Sequence, residues 1–363
     1  MTVLADKIKA TIKTHGAMPL DSFMQMALQD PDHGYYIKQD PLGQNGDFIT
    51  APEISQIFGE MLGLWAADYS LRNPADGFHL VELGPGRGTL MSDMVRVITS
   101  APALAHLAET LHIHLVETSP ALRQAQKTAL DPHGVVVTWH ADISTLPHSP
   151  CLIIANEFFD ALPIRQFVRH HDGWQERLID LQGDELVFSQ QDTGDSSCFT
   201  AAPATKPSHG DIVEVSPASE RMMQHLSSHI KAHGGALLVI DYGYTHPAAG
   251  DSFQALHKHA HVPPLAHIGD ADLTAHVNFA ALAEIARAAG LGVHGPVTQG
   301  RFLNQLGAGT RLRQILDKAP RTRQGEIADA YQRLVAPEQM GHLFKVLAVT
   351  GVESAAPEGF AHA

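Results

Sequence analysis

LVELGPGRGTLMSDMVR, residues Leu80–Arg96, decides the fold. It opens as an apolar strand, turns on Gly84, Gly86 and Gly88, and runs on with Leu90, Met91, Met94 and Val95 at helical spacing. A strand that feeds a helix through a glycine turn is the nucleoside-binding unit of parallel α/β sheets. This turn reads G-x-G-x-G. The dinucleotide fingerprint is G-x-G-x-x-G, and Thr89 stands where its third glycine would be. That fingerprint presents a helix N-terminus to a pyrophosphate. Here Glu82 lies just before the turn, a charge that repels phosphate and favours a cation. S-adenosylmethionine (SAM), a sulfonium with no phosphate, is therefore the expected cofactor, with the glycines letting the backbone pass close to it.

Outward from this unit the pattern repeats. HLVEL (79–83), IHLVE (113–117), VVVTW (135–139), CLIIA (151–155) and ALLVID (236–241) are short apolar runs of the kind buried in parallel sheets. Helical segments separate them, one of them SPALRQAQKTAL with Ser119 as N-cap and Pro120 behind it. LGVHGPVTQ and LFKVLAVTG add two late strands, the last of them expected antiparallel. The fold class is α/β: a Rossmann-like seven-stranded sheet of the class I methyltransferase type. Three additions are expected: a helical region over 1–75, a β-hairpin insertion over 163–210 after the fourth strand, and extra helices over 302–336. The core then spans 76–351, with a tail at 352–363.

Further candidates sit at strand ends, where open parallel sheets bind ligands. Glu117 ends the second strand and suits the two ribose hydroxyls; dinucleotide folds use an acid there too. Asp142 and Ile143 follow the third strand, the acid suited to the adenine amino group and the isoleucine to the ring face. After the fourth strand comes NEFFD, with Asn156, Glu157, Phe158 and Asp160 placed to meet a methyl acceptor.

Composition narrows the rest. The 363 residues are 44% apolar and 18% charged, a globular balance, and the formal charge of −14 argues against nucleic acid as a partner. Cys151 opens an apolar strand and reads as a buried small hydrophobe. HKHAH (257–261) invites a metal reading, but Pro263 and Pro264 follow it and a loop is expected, with no metal assigned. No apolar run is long enough for membrane insertion and no secretory leader is evident, so the chain reads as cytoplasmic.

The glycine turn and NEFFD, together with DHGYY, GDFITAPEISQIFGE, VEVSP, DYG, DLTAHVNF, TQG and MGHLFKV, resemble the MidA-type methyltransferase family over nearly the whole chain. The resemblance implies a SAM-dependent protein arginine methyltransferase that makes symmetric ω-dimethylarginine. The family's mitochondrial members assemble complex I and methylate a subunit of it, so a protein substrate of that kind is implied. By motif, Gly84, Gly86 and Gly88 form the cofactor turn, Glu117 holds the ribose, Asp142 the adenine side, and NEFFD the acceptor. Asp47, Thr50 and Glu53 of GDFITAPE are implied to lie near the site as a substrate loop or lid. Asn278 departs from the pattern, which has aspartate there. Two other readings compete: a SAM-fold assembly or interaction protein without catalysis, and an NAD(P)-dependent oxidoreductase.

Overall fold

The computed structural model describes residues 2–38, 50–171, 173–193, 207–352, 354 and 356–360. They fall into two compact units. One comprises Met1–Phe48, Phe159–Met222 and Tyr244–Leu282; the other comprises Ile49–Phe158, Met223–Gly243 and Ala283–Ala363.

The second unit holds the parallel sheet. Its strands are β1 (Phe78–Leu83), β2 (Leu111–Val116), β3 (Val136–His140), β4 (Cys151–Asn156), β5 (Gly235–Tyr244), β6 (Gly292–Thr298) and β7 (Phe344–Thr350). They pair in the order β6-β7-β5-β4-β1-β2-β3. Neighbours from β5 to β3 run parallel, and β7 runs antiparallel to both β5 and β6. The chain reverses its direction of winding between β1 and β4, so their carboxyl ends frame the crevice where ligands bind in such sheets. β4 and β5 are buried along almost their whole length, as strands covered on both faces must be. Cys151 is one of these core residues, and burial pushes its thiol up to about 12.

Two helices close one side. The first, α1 (Gln56–Arg72), is capped by Ser55, whose hydroxyl accepts from Ile57 N. Expected as part of a helical region over 1–75, it belongs to the second unit and is buried almost all round. Gly59 and Gly63 explain this. A Cβ on Gly59 would meet Asp93 Cβ at 2.5 Å, and one on Gly63 would meet Met94 O at 2.8 Å, so these glycines let α1 lie against α2 (Thr89–Ser100). The buried Glu60 is held between Arg96 and Arg311, at 2.6 Å from each. Their hydrogen bonds outweigh burial and keep its carboxyl below the usual range.

A row of imidazoles crosses β1–β3. His79 Nδ1 lies 3.0 Å from His114 Nε2, His114 Nδ1 lies 3.0 Å from His140 Nε2, and His140 Nδ1 lies 2.9 Å from Thr145 Oγ1. Burial, and then its imidazole neighbours, push His114 down to about 4.

The first unit is built on an antiparallel sheet. Met18–Pro19, Gly173–Gln182, Arg165–His170 and Ile212–Val215 pair in that order, and Glu185–Asp192 pairs with Gly173–Gln182. The expected hairpins are present; Ile212–Val215 is a further strand too short to show its alternation in sequence. The helices Val3–His15 and Leu20–Gln29 bury Ile8, Ile12, Phe23 and Met24 in this unit's own core. Tyr35–Lys38, which begins within DHGYY, is a short helix rather than a loop. HKHAH is likewise not a loop: Gln254–His257 and Ala260–Val262 form an antiparallel hairpin that turns on Lys258 and His259, both at positive φ.

The His114 shift sets a sign for acid stability. The folded state holds this imidazole neutral, so its contribution is full above the unfolded value of about 6.5 and is lost as pH falls toward about 4. His114→Gln should flatten the acid limb of a pH–stability curve between those values by about 2–3 kcal/mol, measured by urea unfolding.

Candidate active site

The glycine turn is built as its spacing requires. Gly84, Gly86 and Gly88 have φ of 59°, 52° and 82°, the left-handed region that disfavours side chains. A Cβ on Gly84 would stand 3.1 Å from Phe158 Cδ2, and one on Gly88 would stand 3.2 Å from Gln126 Cα. The turn thus presses on the NEFFD loop on one side and on the helix α3 (Pro120–Leu130) on the other.

Glu82 is buried at the end of β1, with a backbone hydrogen bond from Met91, and its Oε2 has no hydrogen-bond partner among the described residues. Burial pushes its carboxyl up to about 8. Glu117 follows β2. Its Oε1 accepts from Thr118 N and Ser119 N at 2.8 Å, and its Oε2 accepts from Gln126 Nε2 at 3.3 Å. Burial raises its pKa, against the pull of these donors. Asp142 is exposed and caps the turn Ile143–Thr145 through Ser144 N at 2.7 Å, which lowers its pKa; Ile143 is half-buried beside it.

β4 ends in the buried Asn156, whose Oδ1 has no hydrogen-bond partner among the described residues. Glu157 follows at φ 48°, a left-handed backbone on a non-glycine residue. Its N–H bonds Ile240 O at 2.9 Å, and its Oε1 accepts from Ala51 N at 3.0 Å and from Asn156 Nδ2 at 3.4 Å. Phe158 N donates to the fully buried Asp241 at 3.2 Å.

Thr50 precedes the helical turn Ala51–Ile54, and Glu53 within it accepts from Thr89 Oγ1 at 3.0 Å. The segment is therefore tied to the cofactor turn through Glu53 and to the acceptor loop through Glu157. Asp47 lies outside the described residues. Asp160 falls in the other unit, where its carbonyl accepts from Ala275 N, and so is not among the side chains that this unit brings together.

Three participants had no role in the sequence reading. Thr89 was noted only as a missing glycine. Asp241 stood in the DYG motif without an assignment. Gln126 had a faint signal: it is the polar member of an i, i+4, i+8 series with Leu122 and Leu130, all three buried.

Residues 61–297 match a family described as "Putative S-adenosyl-L-methionine-dependent methyltransferase". The chain belongs to this family. It is 37% identical to the Drosophila melanogaster protein arginine methyltransferase NDUFAF7 homolog, over 95% of this chain and 84% of that one. It is 34% identical to the Homo sapiens mitochondrial protein arginine methyltransferase NDUFAF7, over 93% and 81%. Among solved structures, it resembles a COG1565 superfamily member from Burkholderia thailandensis bound to S-adenosyl-homocysteine, with TM-score 0.84, 25% identity, and coverage of 99% of this chain and 94% of that one. The methyltransferase is thus SAM-dependent, and the oxidoreductase reading falls.

The residues present fit that cofactor. A buried acid oxygen without a donor among the described residues, Glu82 Oε2, beside a turn of left-handed glycines, suits a cationic ligand, whose charge would draw the acid into its ionised form. Gly84, Gly86 and Gly88 would line its path, Glu117 would take the ribose hydroxyls, and Asp142 with Ile143 the adenine. SAM supplies an electrophilic methyl group on a sulfonium centre.

Glu82 ionises in the unfolded chain near 4.5 but in the folded one only at about 8. Its contribution is therefore complete at low pH and is lost as pH rises through about 8. Glu82→Gln, which keeps an acceptor for Met91 N, should raise the melting temperature relative to wild type at pH 9 and leave it nearly unchanged at pH 4; equal shifts at both would deny the burial effect.

Proposed function

We propose that this methyltransferase modifies an arginine of a protein, by symmetric ω-dimethylation, with a respiratory complex I subunit or a related protein as acceptor, in the cytoplasm. The observation that carries the reading is Asn156 Oδ1, a buried acceptor oxygen without a donor among the described residues, at the carboxyl end of β4. A guanidinium brings five donors in a planar fork and no acceptor. Beside it Glu157 supplies a carboxylate, held at a backbone angle that costs about 1–3 kcal/mol for a non-glycine residue. The names of the curated relatives support arginine as the acceptor. The MidA-type motifs support the complex I subunit.

The chain's own residues have limited work to do. Arginine arrives protonated, its free pKa lying far above neutrality. Asn156 Oδ1 and the Glu157 carboxylate hold the guanidinium and aim one nitrogen, and the carboxylate offsets its charge. The additional proton leaves late, so no strong base is needed. The Phe158 ring lies against Gly84, so the acceptor loop borders the cofactor turn. Alignment of this kind accounts for about 7–11 kcal/mol of a displacement barrier.

Arginine-methylation proteomics in cells with and without the gene tests the substrate class: at least one dimethyl-arginine peptide, on a complex I subunit, should vanish, and an unchanged methyl-arginine proteome would overturn the reading. With that peptide as substrate, Glu157→Gln keeps the acceptor for Ala51 N but loses the charge. Its kcat should fall by about 10²–10³, while S-adenosyl-homocysteine binding measured by calorimetry holds. Full turnover in that variant would remove Glu157 from the chemistry.

A further inference from the structure

Gln126 is fully buried in the middle of α3. Its Nε2 donates to Gly86 O at 2.8 Å and to Glu117 Oε2 at 3.3 Å, and its Oε1 accepts from Trp139 Nε1 at 2.8 Å. These three partners belong to the glycine turn after β1, to the end of β2, and to β3. We propose that Gln126 is the positioning residue of the cofactor site: one amide fixes the glycine turn and the ribose carboxylate against each other, and Trp139 sets which way that amide faces.

The orientation follows from chemistry. An indole N–H can only donate, so the amide oxygen must face Trp139. Both N–H groups are then turned toward Gly86 and Glu117, two acceptors that no other residue type of this size serves together. Glutamate has no donor for them, and methionine fills the volume without any hydrogen bond. The backbone adds a second constraint, because Gly88, at a left-handed φ of 82°, packs so closely that a Cβ there would stand 3.2 Å from Gln126 Cα. Glu117 is held at Oε1 by two backbone N–H groups, which leaves its other oxygen free to swing. Gln126 removes that freedom and leaves the remaining acceptor capacity of Oε2 for hydroxyl donors. Arg123, on the same helix, donates to the main-chain carbonyls of Glu117 and His140, so the frame around the carboxylate is set separately from the carboxylate itself.

This role concerns the cofactor alone and holds whichever nitrogen accepts the methyl group. Calorimetric titration of S-adenosyl-homocysteine into the full-length protein tests it, with Gln126→Met and Glu117→Gln made singly and together. Gln126→Met should weaken binding about tenfold. The double variant should be weaker than Glu117→Gln alone by clearly less than that tenfold, because part of the amide's effect passes through that carboxylate. Trp139→Phe, which leaves Glu117 untouched but releases the amide, should weaken binding by a smaller factor. In wild-type protein the Trp139 fluorescence, isolated by difference from Trp139→Phe, should change on titration with S-adenosyl-homocysteine, and in Gln126→Met that change should disappear. Melting curves accompany each variant; if Gln126→Met unfolds, Gln126→Leu, which likewise removes the amide without adding a charge, supplies the same comparison. Fully additive effects of Gln126→Met and Glu117→Gln, or unchanged affinity in a folded Gln126 variant, would overturn the assignment.

Discussion

Three left-handed glycines within five residues are the constraint on which the site depends. With side chains at Gly84 or Gly88 the turn would collide with Phe158 or with the backbone of α3. The turn is thus the place where the acceptor loop and the helix carrying Gln126 both come to rest. Short apolar strands bury β1 and β4 side by side, their winding reverses between them, and their two loops emerge together. The chemistry of the family needs that meeting, since methyl donor and acceptor must be aligned before the displacement begins.

Charge is arranged with the same economy. Glu82 and Glu117 are desolvated acids and Asp241 is fully buried, and each accepts from backbone N–H groups. Desolvated acids form an environment that a sulfonium, an ammonium or a guanidinium improves. Elsewhere the unit treats a buried acid differently: Glu60, in the scaffold, is clamped by two arginines. The contrast separates a carboxylate that holds helices together from carboxylates kept for a ligand.

Much of this was legible in the sequence, and the reasons are physical. Strands buried on both faces leave continuous apolar runs, so the core strands and their order of appearance could be read from HLVEL to LFKVLAVTG. The cofactor turn could be read because left-handed backbone needs glycine. The N-cap at Ser119 with Pro120 behind it was readable for the same local reason. What could not be read depends on contacts distant in sequence. α1 shows a stripe of apolar residues, but its burial on other faces comes from Gly59 and Gly63 meeting α2. Asp160 lies close to Glu157 along the chain, yet the chain passes into the other unit between them. Gln126 looks like an ordinary polar helical residue until the ends of β2 and β3 and the glycine turn close around it. Asx caps are also ambiguous in sequence: Asp142 is both a turn cap and an acid at the carboxyl end of a strand, and only the second role marks a ligand.

The central claim is that the carboxyl ends of β1 and β2 hold S-adenosylmethionine through the glycine turn and Glu117. Calorimetric titration of S-adenosyl-homocysteine and of NADH into wild-type and Glu117→Ala protein tests it most directly. The account expects one-to-one binding of S-adenosyl-homocysteine to wild type, an affinity loss of about 10–100-fold in Glu117→Ala, and no binding of NADH to either. Equal affinity of the two proteins for S-adenosyl-homocysteine, or binding of NADH alone, would contradict it.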